Sequence, residues 1–313
     1  MAPALHRESL PQLSDELFVT DGGIETTLIF HEGIDLPLFA AFDLLKDDEG
    51  TNALRSYFAP YVAIAAERGA GLILESPTWR ASPRWAAELG YSPPQLDDFN
   101  RRAIALMEEI RDAAPEGVSP IVISGCIGPQ GDGYSPEELL TAAEAEEYHA
   151  TQIGTFAGTA ADMVAAVTMT YVEEAIGLTR AAAAAGMPVA ISFTVETDGR
   201  LPSGQPLGEA VERVDAETDG APAYFMINCA HPTHFASVVA EGGWRDRIRG
   251  LRANASTKSH AELDEAEDLD EGDPADLGAR HAALRDKLPN LTVLGGCCGT
   301  DHRHVREIVS RFG

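Results

Sequence analysis

Four cysteines in 313 residues are too few to staple a disulfide scaffold. Lysine is scarcer still, at Lys46, Lys258 and Lys287, and 23 basic residues face 50 acidic ones for a formal net charge of −27. A polyanion of this kind repels nucleic acid and anionic membrane surfaces, so neither is expected as a partner. Long apolar runs are missing as well. The alanine run Ala181 to Ala185 is closed by Arg180 and Gly186, and no membrane span is expected. The first eighteen residues include His6, Arg7, Glu8, Asp15 and Glu16 without the apolar stretch of a signal peptide, so a reducing cytoplasm is the expected location. The sparing use of lysine fits a salt-adapted source and an ordinary acidic protein equally well.

Several catalytic signatures are also missing. There is no G-x-x-x-x-G-K-[ST] loop, no H-E-x-x-H and no G-x-S-x-G. Gly69 and Gly71 precede an apolar run instead of following one, which removes a dinucleotide fingerprint. The glycine-rich stretch from Gly125 to Gly133 follows a strand but lacks a basic residue for phosphate, and reads as backbone geometry at a loop. Glu262 to Asp276 holds nine acidic residues, yet a calcium loop counted from Asp268 would put Gly272 and Ala279 where carboxylates are needed. A solvated insertion at about 259–278, between the seventh and eighth strands and over the mouth of the fold, is expected there.

What is present is a regular alternation. Short Val- and Ile-rich runs fall at Leu17–Thr20, Gly71–Ser76, Pro120–Ser124, Met163–Thr168, Pro188–Phe193, Tyr224–Asn228, Ile248–Ala253 and Leu291–Leu294. Most lack polar alternation, as parallel strands buried on both faces should. Helical stretches lie between them, for example Pro136–Thr159 and Val172–Ala185. Eight strand–helix units at this length predict a single-domain α/β protein over residues 1–313, a (β/α)8 TIM barrel, with a doubly wound open sheet as the competing topology. The apolar content, 44%, excludes intrinsic disorder.

The cysteines carry the chemistry. Cys297 and Cys298 are adjacent, just past the last strand, and Cys229 ends the sixth in Asn228, Cys229, Ala230, His231, Pro232. In a barrel both strand ends open onto the active-site face. Three thiolates there would make a zinc site with an open fourth position. Buried cysteines acting as small hydrophobes are the competing account, and spacing alone leaves both open. Cys126, beside the third-strand loop without a motif partner, is assigned to the second.

Taken together, these residues resemble the zinc-dependent homocysteine S-methyltransferase family. The resemblance rests on Cys229 in its Asn-Cys-x-x-Pro setting and on Gly295-Gly-Cys-Cys-Gly-Thr300. It extends to Asp21-Gly22-Gly23, Ser124 to Gly131, Ile191-Ser192-Phe193, Asn254 and His304, and so spans about Asp21 to Ile308. It implies a Zn2+ cofactor held by Cys229, Cys297 and Cys298, and a small-molecule thiol and a cationic methyl donor as partners. The reaction implied is methyl transfer from a sulfonium or quaternary ammonium donor to homocysteine, giving methionine. Implied substrate contacts are Asp21, Gly22, Glu75, Thr78, Val167 and Asn228, although an Asp before two glycines is also a common turn former. A homo-oligomer is compatible with the sequence.

Two departures stand out. Where the family's fourth strand usually ends in Glu-Thr, this chain reads Val167-Thr168, which removes the carboxylate expected for the substrate ammonium. The second strand ends in Glu75-Ser76-Pro77-Thr78 where the family often has Thr-Asn-Thr. Glu75 either supplies the missing carboxylate or pairs with Arg80 or Arg84. A different thiol or selenol acceptor, or a zinc-binding barrel without turnover, are the alternatives these changes raise.

Overall fold

The computed structural model describes residues 3–134, 139–266 and 268–312. Eight parallel strands close into a barrel in sequence order. They are β1 (Phe18–Val19), β2 (Gly71–Glu75), β3 (Ile121–Ile127), β4 (Met163–Met169), β5 (Val189–Phe193), β6 (Tyr224–Asn228), β7 (Ile248–Ala253) and β8 (Val293–Gly296). Closure is made by β1 against β8, with Phe18 opposite Val293 and Val19 opposite Leu294, which excludes the open sheet. Apart from Arg249 on β7, every strand residue is buried, as strands covered by helices outside and side chains inside must be.

Seven longer helices follow strands: α1 (Asp48–Arg68), α2 (Pro93–Asp112), α3 (Ala142–Ala157), α4 (Val172–Ala184), α5 (Leu207–Glu217), α6 (Pro274–Ala282) and α7 (His302–Ser310). Their ends are written locally. Asp47 accepts a hydrogen bond from Gly50 N at 2.8 Å to start α1, Thr141 and Glu144 form a capping box at α3, and Asp301 receives Arg303 N to start α7. The β6–β7 crossover uses short helical turns instead, beginning with Pro232–Phe235.

Two apolar layers result. One lies between strands and helices; the other fills the barrel with Phe18, Ile73, Val122, Met163, Tyr224 and Met226, among others. The N-terminal segment closes the lower end. Arg7 donates to the carbonyls of Ala157, Thr159 and Ala161, Asp162 receives the Leu5 and His6 amides, and Gln12 reaches Met163 Sδ at 3.0 Å. With that end plugged, the C-terminal mouth is left for chemistry.

Several boundaries differ from the sequence reading. β3 runs on through Gly125, Cys126 and Ile127, so Cys126 sits in the strand and faces the barrel interior, not a loop. β8 begins at Val293 and takes in Gly295 and Gly296. The expected helix Pro136–Thr159 is α3, Ala142–Ala157; residues 136–138 lie outside the described set. The described residues of the acidic stretch, 262–266 and 268–276, lie between β7 and β8 as expected, and lead into α6. The stretch is tied to the mouth by Ser256 Oγ on Asp270 (2.7 Å) and by the Glu271 carbonyl, which His304 Nε2 contacts at 2.8 Å.

Candidate active site

Cys229 follows β6 with φ 52°, a left-handed conformation that costs a non-glycine residue on the order of 1 kcal/mol or more. Its carbonyl is the reason it stays there. That oxygen accepts from Asn254 Nδ2 at 3.1 Å and contacts His260 Nε2 at 2.6 Å and Thr194 Oγ1 at 3.3 Å, while its amide donates to Arg252 O. The preceding Asn228 acts as a clamp. Its Oδ1 accepts from Thr168 N (2.9 Å) and Ser192 Oγ (2.6 Å), and its Nδ2 donates to Thr168 Oγ1 (2.9 Å), holding Thr168 at φ 64°.

Cys297 and Cys298 occupy a tight turn. Thr300 N bonds to Cys297 O at 3.0 Å, and the third residue, Gly299, takes φ 76°, where a type II turn calls for glycine. The β1 loop packs directly on this turn: a Cβ on Gly22 would lie 2.8 Å from Thr300 O and from the Tyr61 hydroxyl, so only glycine fits.

These two constructions bring three sulfurs together. Cys229 Sγ is 2.7 Å from Cys297 Sγ and 3.7 Å from Cys298 Sγ, and all three lie within 4.8 Å of one another. Hydrogen bonds from the Cys229 and Cys298 thiols hold the Cys297 thiol well below its ordinary range, so the cluster favours a thiolate. Tyr134 caps it, its hydroxyl 3.2 Å from Cys298 Sγ and 3.4 Å from Cys229 Sγ, with its ring stacked 4.2 Å from that of His260. Three convergent sulfurs with one accessible side are the donor set and shape that suit a tetrahedral soft metal centre with an exchangeable position.

The cluster opens into a cavity of about 240 Å³. Asp21, Gly22, Glu75, Val167 and Asn228 all line it, together with Arg80 and with Trp79, Glu25 and Arg252, which the sequence did not single out. Thr78 is not brought there. It is fully buried, with its hydroxyl donating to Cys126 O at 2.7 Å and meeting Ser76 Oγ, so it braces β2 against β3. Glu75 pairs with neither Arg80 nor Arg84. Arg80 lies between the Trp79 and Trp85 rings, and Arg84 bonds to Glu88. Glu75 instead is buried with Oε2 unpartnered among the described residues, and burial pushes its carboxyl up to about 7. Burial also raises half-buried Glu25 to about 7 and raises Asp21, against the nearby Arg252 charge.

A closed parallel barrel with a cysteine cluster at its C-terminal mouth defines an enzyme whose chemistry is centred on sulfur. Residues 18–312 match the family model described as homocysteine S-methyltransferase, so this chain belongs to that family and is a methyltransferase. The fold is similar to that of the homocysteine methyltransferase MmuM from Escherichia coli. For the oxidized form the TM-score is 0.74 at 18% identity, covering 97% of this chain and 98% of that one. For the metallated form the values are 0.71 and 18%, with 95% and 96% covered. A search of curated protein sequences found no match.

Proposed function

We propose that this enzyme transfers a methyl group from a cationic donor to the thiol of homocysteine, giving methionine, with zinc as its cofactor. The observation that carries the reading is the trio Cys229, Cys297 and Cys298 converging on one face of the cavity. These three residues would hold the ion, and when bound there it supplies a soft Lewis acid that keeps the acceptor sulfur deprotonated near neutral pH. The chain's own residues do the rest. Asn228 and the donors on the Cys229 carbonyl fix the sulfurs in place, and the Tyr134 hydroxyl lies against Cys229 and Cys298. Trp79, Tyr134 and Phe39 offer aromatic faces, and Glu25, Asp132 and Asp264 negative charge, around the route by which a cation approaches. The acceptor sulfur forms a bond to the methyl carbon as the donor's S–C or N–C bond breaks. Its electron pair stays with the donor, which leaves neutral.

Glu75, which lines the cavity, is the carboxylate that takes the place of the one missing at Val167 and receives the acceptor's ammonium group. A biosynthetic role in methionine formation in the cytoplasm fits this chemistry, and no described helix is long and apolar enough to cross a membrane. The test is direct. Zinc-loaded protein is incubated with homocysteine and S-methylmethionine, S-adenosylmethionine or betaine, and methionine is followed by mass spectrometry. Methionine from at least one donor is the expected result. Zinc retention without methyl transfer to homocysteine, but with transfer to another thiol or a selenol, would move the acceptor assignment to that molecule. Zinc without turnover on any acceptor would leave a binding protein.

A further inference from the structure

Arg252 is an unusual residue to find at the end of a barrel strand. It lies on β7, opposite Asn228 on β6 and Gly295 on β8, and is 7% exposed inside the cavity that holds the cysteine cluster. Burying a guanidinium costs several kcal/mol unless its N–H groups are matched. Most are. Nε donates to Gly296 O at 3.1 Å, and Nη2 donates to Asp21 Oδ1 at 2.6 Å and to Gly22 O at 3.3 Å. Nη1 makes no hydrogen bond among the described residues, although the residue lines the cavity.

The pairing also changes what Asp21 can do. Its Oδ1 takes Arg252 and its Oδ2 takes the Tyr57 hydroxyl at 2.9 Å, so both oxygens are already engaged within the protein. Asp21 therefore positions Arg252. Across the same cavity, Glu75 Oε2 is buried without a hydrogen-bond partner among the described residues. One wall thus offers an unused donor pair on a fixed cation, and another an unused acceptor. Val167 is an apolar part of the wall.

We propose that Arg252 anchors the acceptor's carboxylate through Nη1, so that this site selects thiols bearing a carboxylate. This rests on the methyl-transfer reading above and deepens it. A zwitterionic amino-acid head then lies between Glu75 and Arg252, with its thiol directed to the cysteines, and each charge meets its complement. A planar guanidinium fork suits a carboxylate better than an ammonium would, and Asp21 holds that fork in a single orientation.

The experiment is equilibrium binding by calorimetry to the zinc-loaded protein, which needs no methyl donor and no turnover. Three thiols are compared: homocysteine, aminopropanethiol (the same molecule without its carboxylate) and mercaptobutanoate (without its amino group). Losing a charge-assisted hydrogen bond should weaken aminopropanethiol about ten- to a hundredfold relative to homocysteine. In Arg252→Met that gap should close to within about threefold with zinc content unchanged. In Glu75→Gln the carboxylate gap should persist, while the gap between homocysteine and mercaptobutanoate closes. Arg252→Lys, which can still pair with Asp21, covers the case in which the Met variant does not fold; its carboxylate gap should be smaller than in the parent. Equal binding of homocysteine and aminopropanethiol by the parent protein overturns the Arg252 assignment and leaves the methyl-transfer reading standing. Failure of all three thiols to bind overturns both.

Discussion

Replacing Glu75 by Gln should make the protein more stable at alkaline pH and change it little in acid. Glu75 ends β2, is 5% exposed and leaves Oε2 without a partner. Burial moves its carboxyl from an ordinary 4.5 to about 7 in the folded chain. The sign follows from proton counting. Between these values the folded state holds the proton more tightly than the unfolded state, so stability falls as pH rises through the window and stays lowered above it. At 1.36 kcal/mol per pH unit the full gap is worth about 3 kcal/mol, an upper figure because the site can relax or admit water. The amide of Gln fills the same space and has no charge to desolvate. Urea unfolding of the apo protein at pH 8 should therefore show Glu75→Gln more stable by roughly 1–3 kcal/mol, and at pH 5 by less than about 1 kcal/mol. A gain equal at both pH values would mean packing, not charge, is responsible. A loss at pH 8 would mean that Glu75 is already ionised and paired in the folded chain.

Other outcomes follow from the same site. The purified protein should carry close to one zinc per chain, and Cys297→Ala should lose most of it by metal analysis, since two sulfurs no longer close the set; full retention would refute the ligand assignment. Asn228→Ala removes three hydrogen bonds that hold Thr168 and Ser192, and should cost about 2–4 kcal/mol in urea unfolding; a neutral effect would show that Thr168 keeps its φ of 64° unaided. Val167→Glu should lower the KM for homocysteine by placing a second carboxylate on the cavity wall, and an unchanged KM would show that the β4 position does not meet the ammonium. With a net charge of −27, the melting temperature should rise between low and molar KCl if the charge is a salt adaptation, because the screening length falls to about 3 Å at 1 M; a flat or falling curve would favour an ordinary acidic protein.

The barrel could be read from the chain because buried parallel strands write themselves as short apolar runs. The reading reproduced the ends of β6 and β7 as the structure has them. It stopped β3 short at Ser124 because glycine suggests a loop. The reason for Gly125 lies elsewhere: a Cβ there would sit 2.6 Å from the Phe156 ring, so the glycine records the close approach of α3 to the strand. The three cysteines could be placed at two strand ends of one face from their spacing, and their reading as zinc ligands came from the family resemblance. Tyr134 and His260 were not legible. They come from the connections after β3 and β7, and only the folded barrel brings their rings together over the sulfurs. Arg252 was passed over because it lies within a run read for its apolar character, and nothing in the sequence says that its side chain turns inward to Asp21.

The departures at β2 and β4 become one change when placed in the barrel beside Arg252 on β7. The C-terminal ends of all eight strands face a common mouth, so a charge needed by the substrate can be supplied from any of several strands provided the cavity's balance is kept. Here β4 contributes Val167 to the apolar interior, β2 contributes Glu75 and β7 contributes Arg252. An added acid alone would have sharpened the repulsion with Asp21 beside a cluster that already favours a thiolate. The Arg252 guanidinium offsets it: its charge opposes the burial-driven rise at both Asp21 and Glu75, and its hydrogen bond fixes Asp21 in place. The loss at Val167 thus does not by itself argue for a lost function. An acidic group without a partner among the described residues, across the cavity from a basic group with unused donors, is an arrangement that is costly to keep empty and that a zwitterion would complete.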